Sequence, residues 1–192
     1  MFSVMNTKRN RAISHERRHN IAGTRTDFCV STVFCSTDPT QLYTTSGHIL
    51  ERQAVIESIV QLHYHLAEIY GISLNREIVT EGVNSMLRNP SFGHIILAWR
   101  RCDNRVMGQL EIKRLFEVLY NAEYWYLDNH TVFPSAQKQS VGSALLHYVK
   151  EEAMNMGVDR LRLYVGHMNE SAKAFYANYG FQSLGELLEY TI

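Results

Sequence analysis

The sequence predicts a single α/β domain, and three observations support this prediction. The chain has 192 residues, of which 45% are hydrophobic and 20% charged, so it can bury a substantial core. From Gly47 onward, amphipathic helical stretches alternate with short segments in which apolar and polar residues alternate. No internal repeat or low-complexity linker interrupts this region. We therefore expect one domain over residues 47–192, preceded by a flexible basic extension over residues 1–46.

The extension is predicted from the lack of any sustained helical or strand periodicity in residues 1–46, which are rich in Ser, Thr, Asn and Arg. Residues 1–40 carry six Lys and Arg against three Asp and Glu. Such a composition is typical of a disordered tail on a cytoplasmic protein, and also of an organelle transit peptide. The segment has poor helical amphipathicity, which favours the tail and a cytoplasmic location.

One short motif in this extension resembles a zinc site. His15, Glu16 and His19 match the H-E-x-x-H signature of zinc hydrolases. That chemistry needs both imidazoles on one turn of a buried helix, together with a third ligand. Arg17 and Arg18 would oppose a dication, and nothing apolar anchors the segment. A zinc hydrolase is thus a remote alternative, and we expect no metal.

The first half of the domain is predicted to contain one strand, two helices and a β-hairpin. Apolar residues at three- and four-residue spacing define both helices. Gly71 is expected to end the first helix, and Asn89-Pro90 the second. In chain order these elements are a strand at 48–53, helices at 56–70 and 76–88, and hairpin strands at 94–101 and 105–113.

The second half predicts strand, loop, helix, strand, helix and strand. Alternation at Tyr124, Tyr126 and Val132 indicates a strand over about 124–133, and a second strand is expected at about 160–166. The aromatic cluster 124–126 is equally consistent with a substrate-binding wall and with packing on a strand face. A helical stripe follows the loop, formed by Val141, Ala144, Leu145, Tyr148 and Val149.

Residues 134–142 form the loop that joins the strand at about 124–133 to this helix. Unpaired N–H groups and the positive end of the helix dipole there favour a phosphate or pyrophosphate. The nucleotide-hydrolase loop needs Gly-Lys followed by Ser or Thr, and the sequence has no such triplet. The dinucleotide loop needs three glycines, and only Gly142 is present.

The motif Gln137-x-x-Ser140-x-Gly142 resembles the Q/R-x-x-G-x-G/A pyrophosphate loop of the GNAT (Gcn5-related) N-acetyltransferases. The downstream segment from Asn169 to Tyr176, followed by Tyr179-Gly-Phe181, is similar to the second signature of that family. The resemblance extends over residues 48–192. It implies a mixed, mostly antiparallel sheet flanked by about four helices, with acetyl-CoA as co-substrate.

The resemblance also implies the residues that bind the co-substrate. Backbone groups of His130, Thr131 and Val132 are expected to bind the pantetheine arm and polarise the thioester carbonyl. Asn169 is expected to assist the cofactor or simply to cap its helix. The pyrophosphate is expected to lie against Gln137, Lys138, Gln139, Ser140, Val141, Gly142 and Ser143. Ser140 replaces a family glycine, which is harmless unless that position requires a positive φ.

The chemical step implied by the resemblance is direct attack of an amine on the thioester. Tyr176 matches the acid that protonates the departing thiolate, although a buried helix tyrosine is the alternative. The positions of two glutamates common in the family hold Tyr126 and Tyr164. Asp128 and Glu111 are the nearest carboxylates and therefore the candidate general bases. A non-catalytic acyl-CoA-binding module is the alternative function.

Composition limits the partners. The net charge is zero, so no overall field favours nucleic acid or a membrane surface. The longest purely apolar run, residues 95–99, is too short to span a bilayer. The expected acceptor is a small-molecule or peptide amine, and the sequence leaves open whether the chain is a monomer or a homodimer. Three cysteines cannot all pair, which favours reduced thiols.

Overall fold

The computed structural model describes residues 27–188, which form one seven-stranded sheet with helices on both faces. The strand order is β3-β2-β1-β4-β5-β6-β7, and all neighbours are antiparallel except the parallel pair β6 and β7. The predicted mixed, mostly antiparallel α/β fold with four helices is confirmed. In chain order the elements are β1 (Phe28–Cys35), β2 (Gln41–Thr44), β3 (Ile49–Glu51), α1 (Arg52–Tyr70), α2 (Arg76–Arg88), β4 (Gly93–Arg100), β5 (Val106–Glu117), β6 (Ala122–Val132), α3 (Val141–Met156), β7 (Leu161–Leu163) and α4 (Glu170–Asn178).

The sheet begins earlier than the predicted boundary between residues 46 and 47. β1 lies inside the sheet, where six of its residues pair with β4 and three with β2. The segment predicted as the first strand is therefore the third. β1 was not predicted because polar residues occupy core positions in it. Ser31 and Thr32 are buried, and Thr32 Oγ1 lies 3.3 Å from the Tyr148 hydroxyl. Hydrogen bonding lets such residues occupy a strand core. Residues 1–26, including the H-E-x-x-H segment, lie outside the described residues.

Two helices cover one face of the sheet. α1 ends at Gly71, which adopts φ 66°, and the next amide, that of Ile72, donates to Ala67 O at 2.9 Å. This is the left-handed termination that glycine favours. Ile59 of α1 packs in a fully buried cluster with Leu97 and Trp99 of β4. The predicted ends of both helices are confirmed.

The opposite face is covered by α3. Leu145 and Val149 are completely buried and share a cluster with Ile96 of β4 and Leu110 of β5. Aromatic side chains of α4 pack against the same cluster. The amphipathic stripe predicted after the loop therefore faces the core.

The last described segment differs from the prediction of a final strand. Residues 181–188 contain no helix or strand, and β7 is only three residues long. Among the described residues, no helix is long and apolar enough to cross a membrane. All three cysteines lie within the described residues, and no disulfide joins them.

Candidate active site

A β-bulge in β6 shapes the centre of the site. Gln109 pairs with Thr131 but Glu111 pairs with Asp128, so β6 contains one extra residue at this point. Asn129 accommodates it with φ 48°, a conformation that asparagine tolerates better than most residues. Both Asp128 and Asn129 therefore reach groups on the α1 face, and the His130 side chain turns towards α3.

The parallel strands β6 and β7 separate where this bulge begins. β6 and β7 pair only from Trp125–Leu161 to Leu127–Leu163. The rest of β6, including residues 130–132, has no partner on that side in the described chain. Unpaired strand edges can accept an extended ligand arm as an added strand. The opening thus fits the extended arm of a CoA thioester.

The loop after β6 leads to a helix start that is open to a ligand. α1, α2 and α4 begin with side-chain caps from Glu51, Asn75 and Asn169. Within residues 27–188, no side chain caps α3. Its first-turn amides and helix dipole are thus available to an anion.

The backbone conformation of this loop shows what is required of Ser140, which replaces a glycine of the family motif. Ser140 adopts φ 62° and ψ 14°, and Lys138 adopts φ 60°. The position therefore does require a positive φ, and serine occupies it at a cost of about 1–2 kcal/mol. The departure from the family motif leaves the loop shape possible but strained.

Other predicted loop residues support the loop rather than project from it. The Gln139 amide donates to Ser135 O at 2.9 Å, and the Gln137 amide donates to Val132 O at 3.4 Å. The Val141 side chain is buried in the core, so only its backbone can face a ligand. The amide of Ser143 lies in the uncapped first turn of α3.

Tyr176 lies at the place where the strands separate. Its hydroxyl is 2.9 Å from Nδ1 of His130, and Nε2 of the same ring is 3.1 Å from Gly142 O in α3. Burial strongly raises the pKa of Tyr176 and lowers the pKa of His130 to about 4. At neutral pH Tyr176 is a protonated phenol and His130 is a neutral imidazole.

The α4 helix that carries Tyr176 has the predicted ends. Asn169 caps it, accepting from the Ala172 amide at 3.1 Å. Gly180 has φ 87°, and the Phe181 amide donates to Tyr176 O at 3.1 Å. Phe181 also packs on the Tyr176 ring, with centroids 5.5 Å apart. These contacts fix the direction in which Tyr176 projects.

The two candidate bases differ in their surroundings. The Glu111 side chain is only 6% exposed and contacts His63 at 3.1 Å, and its second oxygen accepts from Asn129 at 2.8 Å. The Asp128 side chain is 34% exposed and accepts from the Lys113 ammonium and the Asn129 amide. A ligand can reach Asp128 more easily than Glu111.

The aromatic cluster on β6 divides between the two faces of the sheet. Trp125 is buried in the α3-face core and donates to Glu123 at 2.8 Å. The Arg162 guanidinium lies over the Tyr124 ring, 4.4 Å from its centroid. Burial raises the pKa of Tyr126, and the negative charge of Asp128 raises it further. Only the two tyrosines are placed to contact a ligand near Asp128.

The sequence profile of the acetyltransferase (GNAT) family matches residues 57–181, well over half of the chain. This chain belongs to the GNAT acetyltransferase family. It is therefore an acyltransferase of a family that uses acetyl-CoA. A comparison with curated protein sequences finds no match.

Solved structures show the same GNAT fold. A protein described as a probable acetyltransferase is 26% identical with a TM-score of 0.62, over 71% of this chain and 90% of that one. A possible acetyltransferase from Clostridium difficile 630 is 21% identical with a TM-score of 0.65, over 71% and 91%. A predicted acetyltransferase from Clostridium acetobutylicum, solved with acetyl-CoA, is 19% identical with a TM-score of 0.58, over 71% and 89%.

Two features of this GNAT site were missed by the sequence reasoning. His130 was predicted to act only through its backbone, but its side chain joins Tyr176 to α3. The bulge was also missed, although Asp-Asn inside a strand is a recognisable signal. The β6 residues that contact the α3-face core are Trp125 and Leu127 before the bulge and the partly buried Val132 after it, so their parity changes along the strand.

Proposed function

We propose that this protein transfers the acetyl group of acetyl-CoA to a primary amine of a small-molecule or peptide acceptor by direct attack. The observation that carries the proposal is the position of the Tyr176 hydroxyl, 2.9 Å from His130 on the part of β6 that has separated from β7. An acid placed in this opening can reach a thioester sulfur that enters between the strands.

Residues of the loop and of β6 would hold the co-substrate. Backbone amides of residues 141–143 bind the pyrophosphate, since no side chain within the described part of the chain caps this helix. Residues 130–132 bind the extended arm through the unpaired edge of β6, and one of their N–H groups donates to the thioester oxygen. Acetyl-CoA supplies an acyl group activated by a good leaving group.

The chemical step needs two proton transfers. The nitrogen–carbon bond forms as the carbon–sulfur bond breaks, and Tyr176 gives its proton to the sulfur. Asp128 accepts the amine proton, directly or through water, because its carboxylate is accessible and Glu111 is held by His63 and Asn129. Water returns a proton to Tyr176 after release of the thiol.

The acceptor lies on the α1 face in this proposal. Tyr124 and Tyr126 flank the approach to Asp128 on that face. An aromatic surface beside a carboxylate favours an amine that arrives as a cation. The ammonium first gives one proton to bulk water and becomes the nucleophilic amine, and its second proton passes to Asp128 as the amide forms. The chemistry points to a primary amine, as found in a polyamine, an antibiotic, an amino acid or a protein.

Isotope-labelled acetyl-CoA and a panel of these four amine classes would test the function. We expect labelled acetyl-amine with at least one class and a loss of turnover in Tyr176→Phe. CoA binding without transfer to any amine would support a non-catalytic acyl-CoA-binding module instead. Failure to bind CoA in a calorimeter would contradict both functions.

A further inference from the structure

The His130 side chain contacts two parts of the site at once. One ring nitrogen lies 2.9 Å from the Tyr176 hydroxyl, and the other lies 3.1 Å from the carbonyl oxygen of Gly142. The ring also packs edge-on against Phe175, with centroids 5.7 Å apart. Both nitrogens and one face of the ring therefore have assigned neighbours within the described chain.

These contacts determine where the ring proton lies. A carbonyl oxygen can only accept a hydrogen bond, so Nε2 must carry hydrogen towards Gly142. A neutral imidazole has a single ring proton, which leaves Nδ1 as an acceptor. The Tyr176 hydroxyl must then donate to Nδ1. Burial lowers the pKa of His130 to about 4, which keeps the ring neutral over the physiological range.

This arrangement has a consequence for the acid. As a neutral acceptor, His130 stabilises the protonated phenol and offers no proton to a phenolate. His130 is thus suited to hold Tyr176 in place and is not suited to be a proton source. Because Gly142 belongs to the uncapped first turn of α3, the same ring links the acid to the anion-binding end of that helix.

We propose that His130 is a positioning residue that fixes the Tyr176 hydroxyl and ties it to the first turn of α3. This inference rests on the proposed function, in which Tyr176 protonates the departing sulfur. The hydroxyl rotates from Nδ1 to the sulfur as negative charge develops there, the O–H bond breaks and an S–H bond forms. The imidazole neither gains nor loses a proton.

The kinetic test compares His130→Phe and His130→Gln in two backgrounds, wild type and Tyr176→Phe. Phenylalanine keeps the ring but removes both hydrogen bonds, whereas glutamine retains a donor and an acceptor. We expect His130→Phe to lower kcat about tenfold or more, with little change in the Kd for CoA, since misplacement of a catalytic group by about 1 Å can cost about 10²-fold. His130→Gln should recover most of the loss.

In the Tyr176→Phe background, His130→Phe should lower kcat by no more than about twofold further, because residues that act as a unit are not additive. A merely structural role for His130 predicts additive losses instead. His94→Phe and His94→Gln are matched controls, since His94 is also a half-buried sheet histidine of lowered pKa through burial. Additive losses, or an unchanged kcat in a folded His130→Phe, would overturn the inference.

NMR of the ¹⁵N-histidine-labelled full chain tests the contact without any acceptor amine. Long-range proton–nitrogen correlations should show His130 as the Nε2–H tautomer at pH 7, and Tyr176→Phe should shift its Nδ1 resonance. An Nδ1–H tautomer, or an Nδ1 resonance unaffected by Tyr176→Phe, would overturn the inference. A wild-type protein that binds CoA but acetylates no amine would contradict the proposed function, whatever the NMR result.

Discussion

Nε2 of His63 lies 3.1 Å from Oε1 of Glu111, which places a histidine–carboxylate contact beneath the β6 bulge. His63 belongs to α1, and its Nδ1 is 2.9 Å from Ile59 O. Burial alone would lower the pKa of His63, but the Glu111 hydrogen bond and charge outweigh it and raise the pKa. Glu111 also holds Asn129 in the bulge. This pair therefore connects a covering helix to the strand that carries the site.

The raised pKa of His63 predicts a pH-dependent contribution to stability. A histidine whose pKa is higher in the folded state stabilises the fold, and its contribution is fully present below its unfolded pKa of about 6.5. The contribution is lost as pH rises through the folded pKa. Replacing His63 with glutamine should remove this pH-dependent contribution to the free energy of unfolding. Thermal melts of both proteins at pH 6 and pH 9 measure the difference.

Two other histidines act in the opposite sense, because burial lowers the pKa of His94 and of His130. Both proteins contain them, so their effects cancel when wild type is compared with His63→Gln. The difference in Tm should be larger at pH 6 than at pH 9. A difference independent of pH would mean that the His63–Glu111 contact is not ionic.

Gly142→Glu should abolish CoA binding. A Cβ atom at this position would lie 3.4 Å from His130 Nε2 and 3.6 Å from Val132 Cγ2, so a longer side chain must disturb the opening or the helix start. The added carboxylate would also repel a phosphate there. Calorimetry with CoA is the measurement. Gly82→Glu is the control, since a Cβ on that exposed α2 residue meets no atom within 4 Å.

Ser140→Gly should stabilise the protein. Glycine adopts φ 62° without the steric strain that serine bears, and relief of this strain should raise the free energy of unfolding by about 1 kcal/mol. The extra freedom of glycine in the unfolded chain offsets part of this gain. We expect a small rise in Tm with CoA affinity retained. Ser143→Gly, inside α3, should instead lower the free energy of unfolding by about 0.5–1 kcal/mol. Equal effects of the two changes would contradict the strain at Ser140.

Tyr176→Phe should lower kcat about 10²–10⁴-fold and leave the Kd for CoA nearly unchanged, because the hydroxyl acts as the carbon–sulfur bond breaks. The ring contacts with Phe175 and Phe181 are retained, so the loss of stability should be limited to the hydrogen bond to His130 Nδ1, about 1–3 kcal/mol. Tyr179→Phe, at the C-cap of α4, is the matched control. An unchanged kcat would assign Tyr176 to packing and make water the proton source.

Deletion of residues 1–46 should prevent folding. It removes β1 and β2, and with β1 the antiparallel pairing of six residues with β4. Circular dichroism should show no cooperative melting transition for this variant. The shorter deletion of residues 1–26 removes no described strand and is the control. A cooperative transition at the wild-type Tm in the longer deletion would contradict the position of β1.

Local sequence signals determined much of the fold and the location of the site. The ends of α1, α2 and α4 follow from Gly71, Asn89-Pro90, Asn169 and Gly180, because caps and left-handed terminators act within a few residues. The open start of α3, with its unpaired N–H groups, was predictable for the same reason. The resemblance of the Asn169-to-Tyr176 segment to the GNAT signature also predicted the residue that the structure places at the strand opening.

Tertiary structure decided the features that depend on distant partners. β1 escaped prediction because Ser31 and Thr32 are tolerated in the core only through hydrogen bonds to Thr45 and Tyr148. The role of the His130 side chain depends on Gly142 and Tyr176, twelve and 46 residues away. Glu111 was a candidate base by proximity, but His63 and Asn129 occupy its oxygens. Periodicity reports which face a residue occupies, whereas hydrogen-bond partners are set only when separate elements pack together.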